Sequence, residues 1–338
     1  MPASIQSIEQ LEDLLSEPTE GVVDTMKRAA GDIIFLGVGG KMGPTMARMA
    51  KRASDLAGTP RRIIGVSRFS TAAHETELRA HGIETIRCDL LDENAVRALP
   101  DAPNVIYLAG MKFGSTGQES MTWALNTFLP SVVCKKFSRS KIVALSTGNV
   151  YGLAPFSSKG AVETDALNPV GEYAMSCLGR ERMFEYFSRA LKLPMALVRL
   201  NYACELRYGV LVDLAQKTSV DLGIGWFNTI WQGDANAMTL QCLNHVSSPP
   251  FVINITGPEK LNVRQTCERL AEKLKRRVSF SGHESDSALL SNAQKAFDHF
   301  GKPRVSADEM IDWIADWIGR GGATLGKPTK FESRDGKF

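Results

Sequence analysis

The stretch from Phe35 to Gly43 reads FLGVGGKMG: a run of β-formers, Ile33 to Leu36, breaks into glycines and then into helical spacing. Gly37, Gly40 and Gly43 fit G-x-x-G-x-x-G, and Gly39 adds an overlapping G-x-G. In that arrangement the first glycine makes a tight turn, the second admits a pyrophosphate and the third lets helix and strand pack closely. Lys41 and Met42 open the helix, whose orphan N–H groups and positive dipole end attract phosphate. Pro44 falls in its first turn, where a missing N–H costs little. The plainer reading is a strand-to-helix turn without a ligand, so the surrounding residues must carry the dinucleotide assignment.

Cofactor choice falls to the end of the second strand, where an acid would hold a ribose 2′-hydroxyl and a cation would accept a 2′-phosphate. Ser67 and Arg68 stand there, which favours NADP, with NAD as second choice. Asp89 and Leu90, after the third strand, are placed to touch the adenine. Ala109 and Gly110, after the fourth, allow close backbone approach to the cofactor. Farther on, Asn201, Tyr202, Glu205, Arg207 and Tyr208, with Trp226, Phe227 and Trp231, could hold a sugar or a polar carbonyl compound. The tryptophans fit core or dimer packing equally well. No basic cluster along the chain marks a nucleotide diphosphate.

The elements that position these residues alternate. Strands are expected at 61–66, 84–88, 104–109, 141–145, 195–200 and 251–255. Helices are expected at 46–57, 72–80, 93–99, 120–137 and 172–191. Such alternation implies an α/β fold, a doubly wound parallel sheet of Rossmann type with ligands at the carboxyl ends of the strands. Residues 1–30 read as a helical extension broken at Glu17-Pro18-Thr19, and 31–200 as the dinucleotide-binding domain. Residues 201–320 read as a smaller substrate lobe closed by a helix at 308–318, with 251–256 returning to the main sheet. The Gly- and Lys-rich residues 321–338 read as an extended tail.

Composition bounds the function. The 338 residues carry a net charge of +3 from interspersed signs, which gives no footprint for nucleic acid. No apolar run approaches the roughly 18 residues of a membrane span, and the acidic first thirty residues do not read as a signal peptide. A cytoplasmic protein with no membrane partner is expected. The six cysteines are scattered and the five histidines lack metal-ligand spacing, which argues for reduced thiols and no metal.

From about residue 32 to 318 the chain resembles the extended short-chain dehydrogenase/reductase superfamily, of NAD-dependent epimerase/dehydratase type. The resemblance rests on the GVGGKMG turn, CDLLD at 88–92 and VIYLAGMK at 105–112. Asn126, STGNVYG at 146–152, the run Glu163 to Pro169, Tyr173 and VRLNYA at 198–203 extend it. It implies that Thr147 hydrogen-bonds the substrate oxygen, that Tyr173 exchanges its proton, and that Lys112 and Asn126 lie by the cofactor. It also implies a homodimer through helices 120–137 and 172–191.

One position departs. The family pattern Y-x-x-x-K becomes Tyr173-Ala174-Met175-Ser176-Cys177, so a thiol replaces the ammonium that binds the nicotinamide ribose and lowers the tyrosine pKa. A phenol with pKa about 10 is ionised about one part in a thousand at pH 7. Proton abstraction from an alcohol therefore suffers more than proton donation to a carbonyl. Lys112, then Arg180 at i+7, are the candidate substitutes. Sugar 4,6-dehydratases carry an Asp-Glu pair after the threonine, whereas Gly148 and Asn149 stand here, which disfavours dehydration. Asn149, Asn201, Arg207 and Trp231 are the candidate substrate contacts. The leading expectation is an NADP-linked oxidoreductase or epimerase acting on a hydroxyl or keto group of a sugar-like substrate. The alternative is a non-catalytic NAD(P)-binding sensor or scaffold.

Overall fold

The computed structural model describes residues 2–112 and 114–338. Seven parallel strands form one sheet: β1 (Ile33–Leu36), β2 (Ile63–Ser67), β3 (Glu84–Arg87), β4 (Asn104–Tyr107), β5 (Lys141–Thr147), β6 (Met195–Leu200) and β7 (Phe251–Ile255). Their spatial order is β7-β6-β5-β4-β1-β2-β3, with Phe35 of β1 beside Gly65 on one side and Ile106 on the other. The order reverses between β1 and β4, which opens a crevice for ligand at their carboxyl ends.

Apolar residues fill the central strands because helices cover both faces. Side chains alternate, so Ile33 and Phe35 pack with Met46 and Ala50 of α3 (Gly43–Leu56), whereas Ile34 and Leu36 face the other way, into the core that includes Leu129, Val133 and Phe184. That second face is built by α7 (Leu129–Lys136) and α8 (Gly171–Leu191). The single helix expected at 120–137 is a composite. A short helix at Glu119–Trp123 passes through a π turn at Ala124–Phe128 into α7, and the wider turn carries Asn126.

The lobe has its own core, in which α9 (Val210–Gln216), Trp231, α11 (Val263–Lys273) and α13 (Ala307–Gly319) meet. α13 starts on a capping box, with Ser306 and Glu309 each satisfying the other's backbone N–H. Both flanking segments are structural parts of this lobe or its junction with the sheet. Ile5, together with Leu11 and Leu15 of α1 (Ile8–Leu15), packs inside the lobe core. Val22 and Met26 of α2 (Glu20–Arg28) join the core beneath the sheet. The residues after Gly321 have no helix or strand, yet they are anchored. Phe331 is buried in the lobe core, Arg334 donates to the carbonyl of Gly223 and to Ser287, and Phe338 is 4% exposed. Residues 322–338 thus form a strap across the lobe.

Candidate active site

The glycine turn has the shape a dinucleotide requires. Gly37 has φ of 90°, a left-handed conformation that disfavours side chains, and a Cβ there would lie 2.8 Å from the Ala109 nitrogen. A Cβ on Gly43 would lie 2.0 Å from the Val38 carbonyl oxygen, which is the tight helix–strand packing asked of the third glycine. Gly40 by contrast faces open space apart from the Gly37 oxygen. The cradle therefore has room where a pyrophosphate would lie and none where the chain packs on itself. Ser67 lies against Gly39, Arg68 is exposed, and Cys88 N–H bonds the Ser67 carbonyl, so Asp89 and Leu90 follow directly on the neighbouring strand end.

A cavity of about 380 Å³ runs from this turn into the lobe. Gly40, Lys41, Met42, Gly43, Gly110, Lys112, Thr147, Asn149, Tyr173 and Asn201 all line it. Thr147 ends β5, and its Oγ1 accepts hydrogen bonds from the backbone N–H and the Nδ2 of Asn149 at 3.2 and 2.8 Å. Those bonds fill both lone pairs, so the threonine hydroxyl is left to act as a donor, with the Tyr173 phenol beside it. Its neighbour Ser146 donates to Glu181 at 2.5 Å, and Glu181 forms a buried ion pair with Arg199 at 2.7 Å, which ties α8 to β5 and β6. The registration of Tyr173 with Thr147 rests on that tie.

Tyr173 lies in the first turn of α8, and burial pushes its phenol well above the usual tyrosine range. The Cys177 thiol pushes the same way, while Arg180 and Thr147 oppose. Cys177 is fully buried and does not line the cavity. Burial also holds its thiol protonated. Arg180 lies on the same helix face: its Nη1 donates to the Leu145 carbonyl at 2.9 Å and its Nη2 to Asn126 Oδ1. A Cβ on Gly110 would collide with that guanidinium, so Gly110 admits Arg180 to the cavity wall. Asn126 is itself buried outside the lining, and it bonds both the N–H and the carbonyl of Met111. It is a buttress for the loop that bears Lys112. The Lys112 ammonium sits among rings, 5.7 Å from the centre of Tyr173, 5.9 Å from Tyr202 and 4.5 Å from Phe338.

Two expected substrate contacts are elsewhere. Trp231 is 1% exposed and packs edge-on against Trp313 in the lobe core, where its large apolar ring is removed from water. Arg207 bridges Glu205 and Glu12, at 3.0 and 2.5 Å, and so fastens α1 to the lobe. Neither lines the cavity. Polar lining residues not anticipated as site residues are Ser146, Gln232 and Thr329, the last on the strap, where its N–H and hydroxyl both donate to Asp213. Phe331 and Phe338, two aromatics in a polar tail, are the sequence signal that this segment packs. Asn201 keeps its Oδ1 buried without a hydrogen-bond partner, while its Nδ2 donates to Asn228.

The chain belongs to the NAD dependent epimerase/dehydratase family, whose model matches residues 33–204. No curated protein matches it by sequence. Among solved structures it is similar to UDP-glucose 4-epimerase of Thermotoga maritima, with UDP-glucose: 17% identity, TM-score 0.70, covering 86% of this chain and 99% of that one. The Thermus thermophilus UDP-glucose 4-epimerase complex with NAD gives 18% identity and a TM-score of 0.69 over 86% and 99%. The UDP-Glc/GlcNAc 4-epimerase of Campylobacter jejuni gives 19% and 0.70 over 86% and 100%. At these identities the likeness establishes the fold.

Proposed function

We propose that this member of the NAD dependent epimerase/dehydratase family is an NADP-linked oxidoreductase or epimerase that acts on a hydroxyl or keto carbon of a sugar-like substrate. The observation that carries the reading is the convergence of Thr147, oriented as a donor by Asn149, with Tyr173 in one cavity that begins at the glycine turn. The fold shared with sugar-nucleotide epimerases supports a sugar-like substrate, and the NAD complex among them supports a nicotinamide cofactor. Preference for NADP rests on Ser67 and Arg68 at the end of β2, where no acid stands to repel a 2′-phosphate.

The bound dinucleotide would supply the hydride acceptor or donor. Thr147 would hold the substrate oxygen by its hydroxyl proton, Tyr173 would give that oxygen its phenolic proton during reduction, and the free Oδ1 of Asn201 would accept a substrate hydroxyl. A phenol held protonated by burial favours donation over abstraction, so carbonyl reduction is the easier direction. Arg180 and Lys112 stand for the absent lysine. The exposed apolar residues Met121, Phe128, Met175 and Tyr186 support pairing of two copies through the helices that bear them, in a cytoplasmic homodimer.

A second reading, a non-catalytic NAD(P)-binding sensor or scaffold, is favoured by Cys177. The two separate on hydride transfer. Deuterium carried on the reduced nicotinamide should appear in one or more keto-sugars, and Tyr173→Phe should abolish the transfer. Tight cofactor binding with no transfer to any of a broad set of keto-sugars would select the second reading.

A further inference from the structure

The lining of the cavity carries Lys41, Lys112 and Arg180 and, among the described residues, no carboxylate. Arg180 is committed to the Leu145 carbonyl and Asn126 at the sheet side. The two lysines stand toward the lobe. Lys41 leaves the glycine turn, yet its buried ammonium lies 3.1 Å from the ring centre of Tyr208, across the cavity, so it does not merely follow the backbone that would cradle a pyrophosphate. Lys112 is ringed by Tyr173, Tyr202 and Phe338. The charged groups acting on Lys41 are Lys112, Lys327, Asp213 and Glu205, and those on Lys112 include Asp213 and Lys330. Both acids are engaged behind the wall, Asp213 by Thr329 and Glu205 by Arg207.

The strap completes this end. Thr329 lines the cavity, Lys330 beside it takes φ of 54°, and Tyr202 opposite takes 45°, left-handed conformations that ordinary residues adopt at a cost. Phe338 lies edge-on to Tyr173 at 5.3 Å, and its main-chain oxygen accepts from the hydroxyls of Ser115 and Thr116. The tail thus places Thr329 in the wall of a cavity whose volume is near the lower end for ligand sites and is to be shared with a nicotinamide, sets Phe338 against Tyr173, and holds the exposed Lys327 and Lys330 close enough to act on Lys41 and Lys112.

We propose that the lobe end of this cavity is an anion site, formed by Lys41 and Lys112 and closed by the strap, and that the substrate is a monosaccharide-sized molecule with a carboxylate or phosphate group. This rests on the NAD(P)-dependent reading above and narrows its substrate class. The acidic group lies against the lysines, which leaves the reacting oxygen at Thr147 and Tyr173 and a hydroxyl at Asn201. Burial lowers Lys41 to about 7 and Lys112 to about 8, and an anion between them restores their charge.

The test is calorimetric titration of cofactor-saturated protein with matched ligands: aldonates and uronates of four to six carbons, the corresponding neutral sugars, sugar phosphates, and UDP-glucose. At least one small anion should bind about tenfold or more tighter than its neutral counterpart, and Lys41→Met or Lys112→Met should remove most of that margin. Preference for a carboxylate or for a phosphate identifies the source of the charge. Should a variant fail to fold, added salt must weaken the anion and spare the neutral sugar. Equal binding of anion and neutral sugar, or tighter binding of UDP-glucose than of every small anion, would overturn the proposal. Failure of the cofactor itself to bind would instead remove the reading on which it rests.

Discussion

Replacing Cys177 with lysine tests the account of Tyr173 directly. Positions 173 and 177 share a helix face, so an ammonium there could reach to about 5 Å of the phenolic oxygen. At an effective dielectric of about 20, charges at that distance interact by roughly 3 kcal/mol, or about two pKa units. Part of that is lost because Arg180 and Lys112 already surround the site and the new ammonium must be desolvated. A shift of about one unit or more remains. In the wild type the phenol stays protonated through the accessible range, so alcohol oxidation should rise about tenfold per pH unit without reaching a plateau. In Cys177→Lys the rise should level off at lower pH, and the rate at pH 8 should be about ten- to a hundredfold higher. Carbonyl reduction should change far less. The assay is the pH dependence of reduced-nicotinamide formation, with thermal unfolding as a check on the fold. A profile that keeps its slope and position in a folded variant would refute the claim that burial, with no lysine at position 177, governs Tyr173.

Other outcomes follow from the same geometry. NADP(H) should bind tighter than NAD(H), and Arg68→Ala should cost about 1.5 kcal/mol of NADP affinity while sparing NAD; calorimetry with both cofactors decides it. Light scattering should show a dimer at micromolar concentration, and Phe128→Asp should shift it toward monomer. Arg207→Met should leave cofactor affinity in place but lower stability by about 3 kcal/mol or more, because Glu205 is then buried without its cation. The sign of its pH dependence is fixed. Burial already raises the Glu205 pKa, so the unfolded state sheds that proton first, and the variant should lose stability as pH rises above the ordinary carboxylate range. Thermal melts across pH check this, and a flat profile would contradict it.

The fold was legible because its signals are local. The central sheet strands are short apolar runs bounded by turn residues, the edge strand β3 being the polar exception, and α4 (Ala72–Ala80) spans the residues its pattern predicted. The break at Glu17-Pro18-Thr19 separates α1 from α2 because Pro18 cannot continue a helix and Thr19 caps the next one. Geometry encoded in a contiguous stretch was equally readable, as in the tight packing of the glycine turn, whereas the bonds from Asn149 to Thr147 emerge only in the fold. The places of Trp231 and Arg207 were not readable either, since residue type does not reveal whether an indole or a guanidinium fills a core or meets a ligand. Burial by Trp313 and Glu12, both far away in sequence, settled each case.

The cationic end of the cavity was hidden for the same reason, and that bears on function. Lys41 and Lys112 are far apart in sequence, and Lys327 and Lys330 lie in a stretch whose glycines and lysines suggest a solvated tail. Only the folded chain joins them. The join depends on anchors in the strap, Thr329 on Asp213 and Phe331 against Phe227 and Lys217. An unpacked polar tail would gain nothing from burying two phenylalanines, and ordering its residues costs about 1–2 kcal/mol each. The buried rings and the bonds to Asp213 offset that cost within the lobe, and farther along the same strap Phe338 packs edge-on against Tyr173. Under the proposed reading, the contacts that hold the strap would also bear on the charge and size of the molecule that meets Tyr173, so specificity would depend on residues 322–338 as well as on the glycine turn and the Thr147 segment.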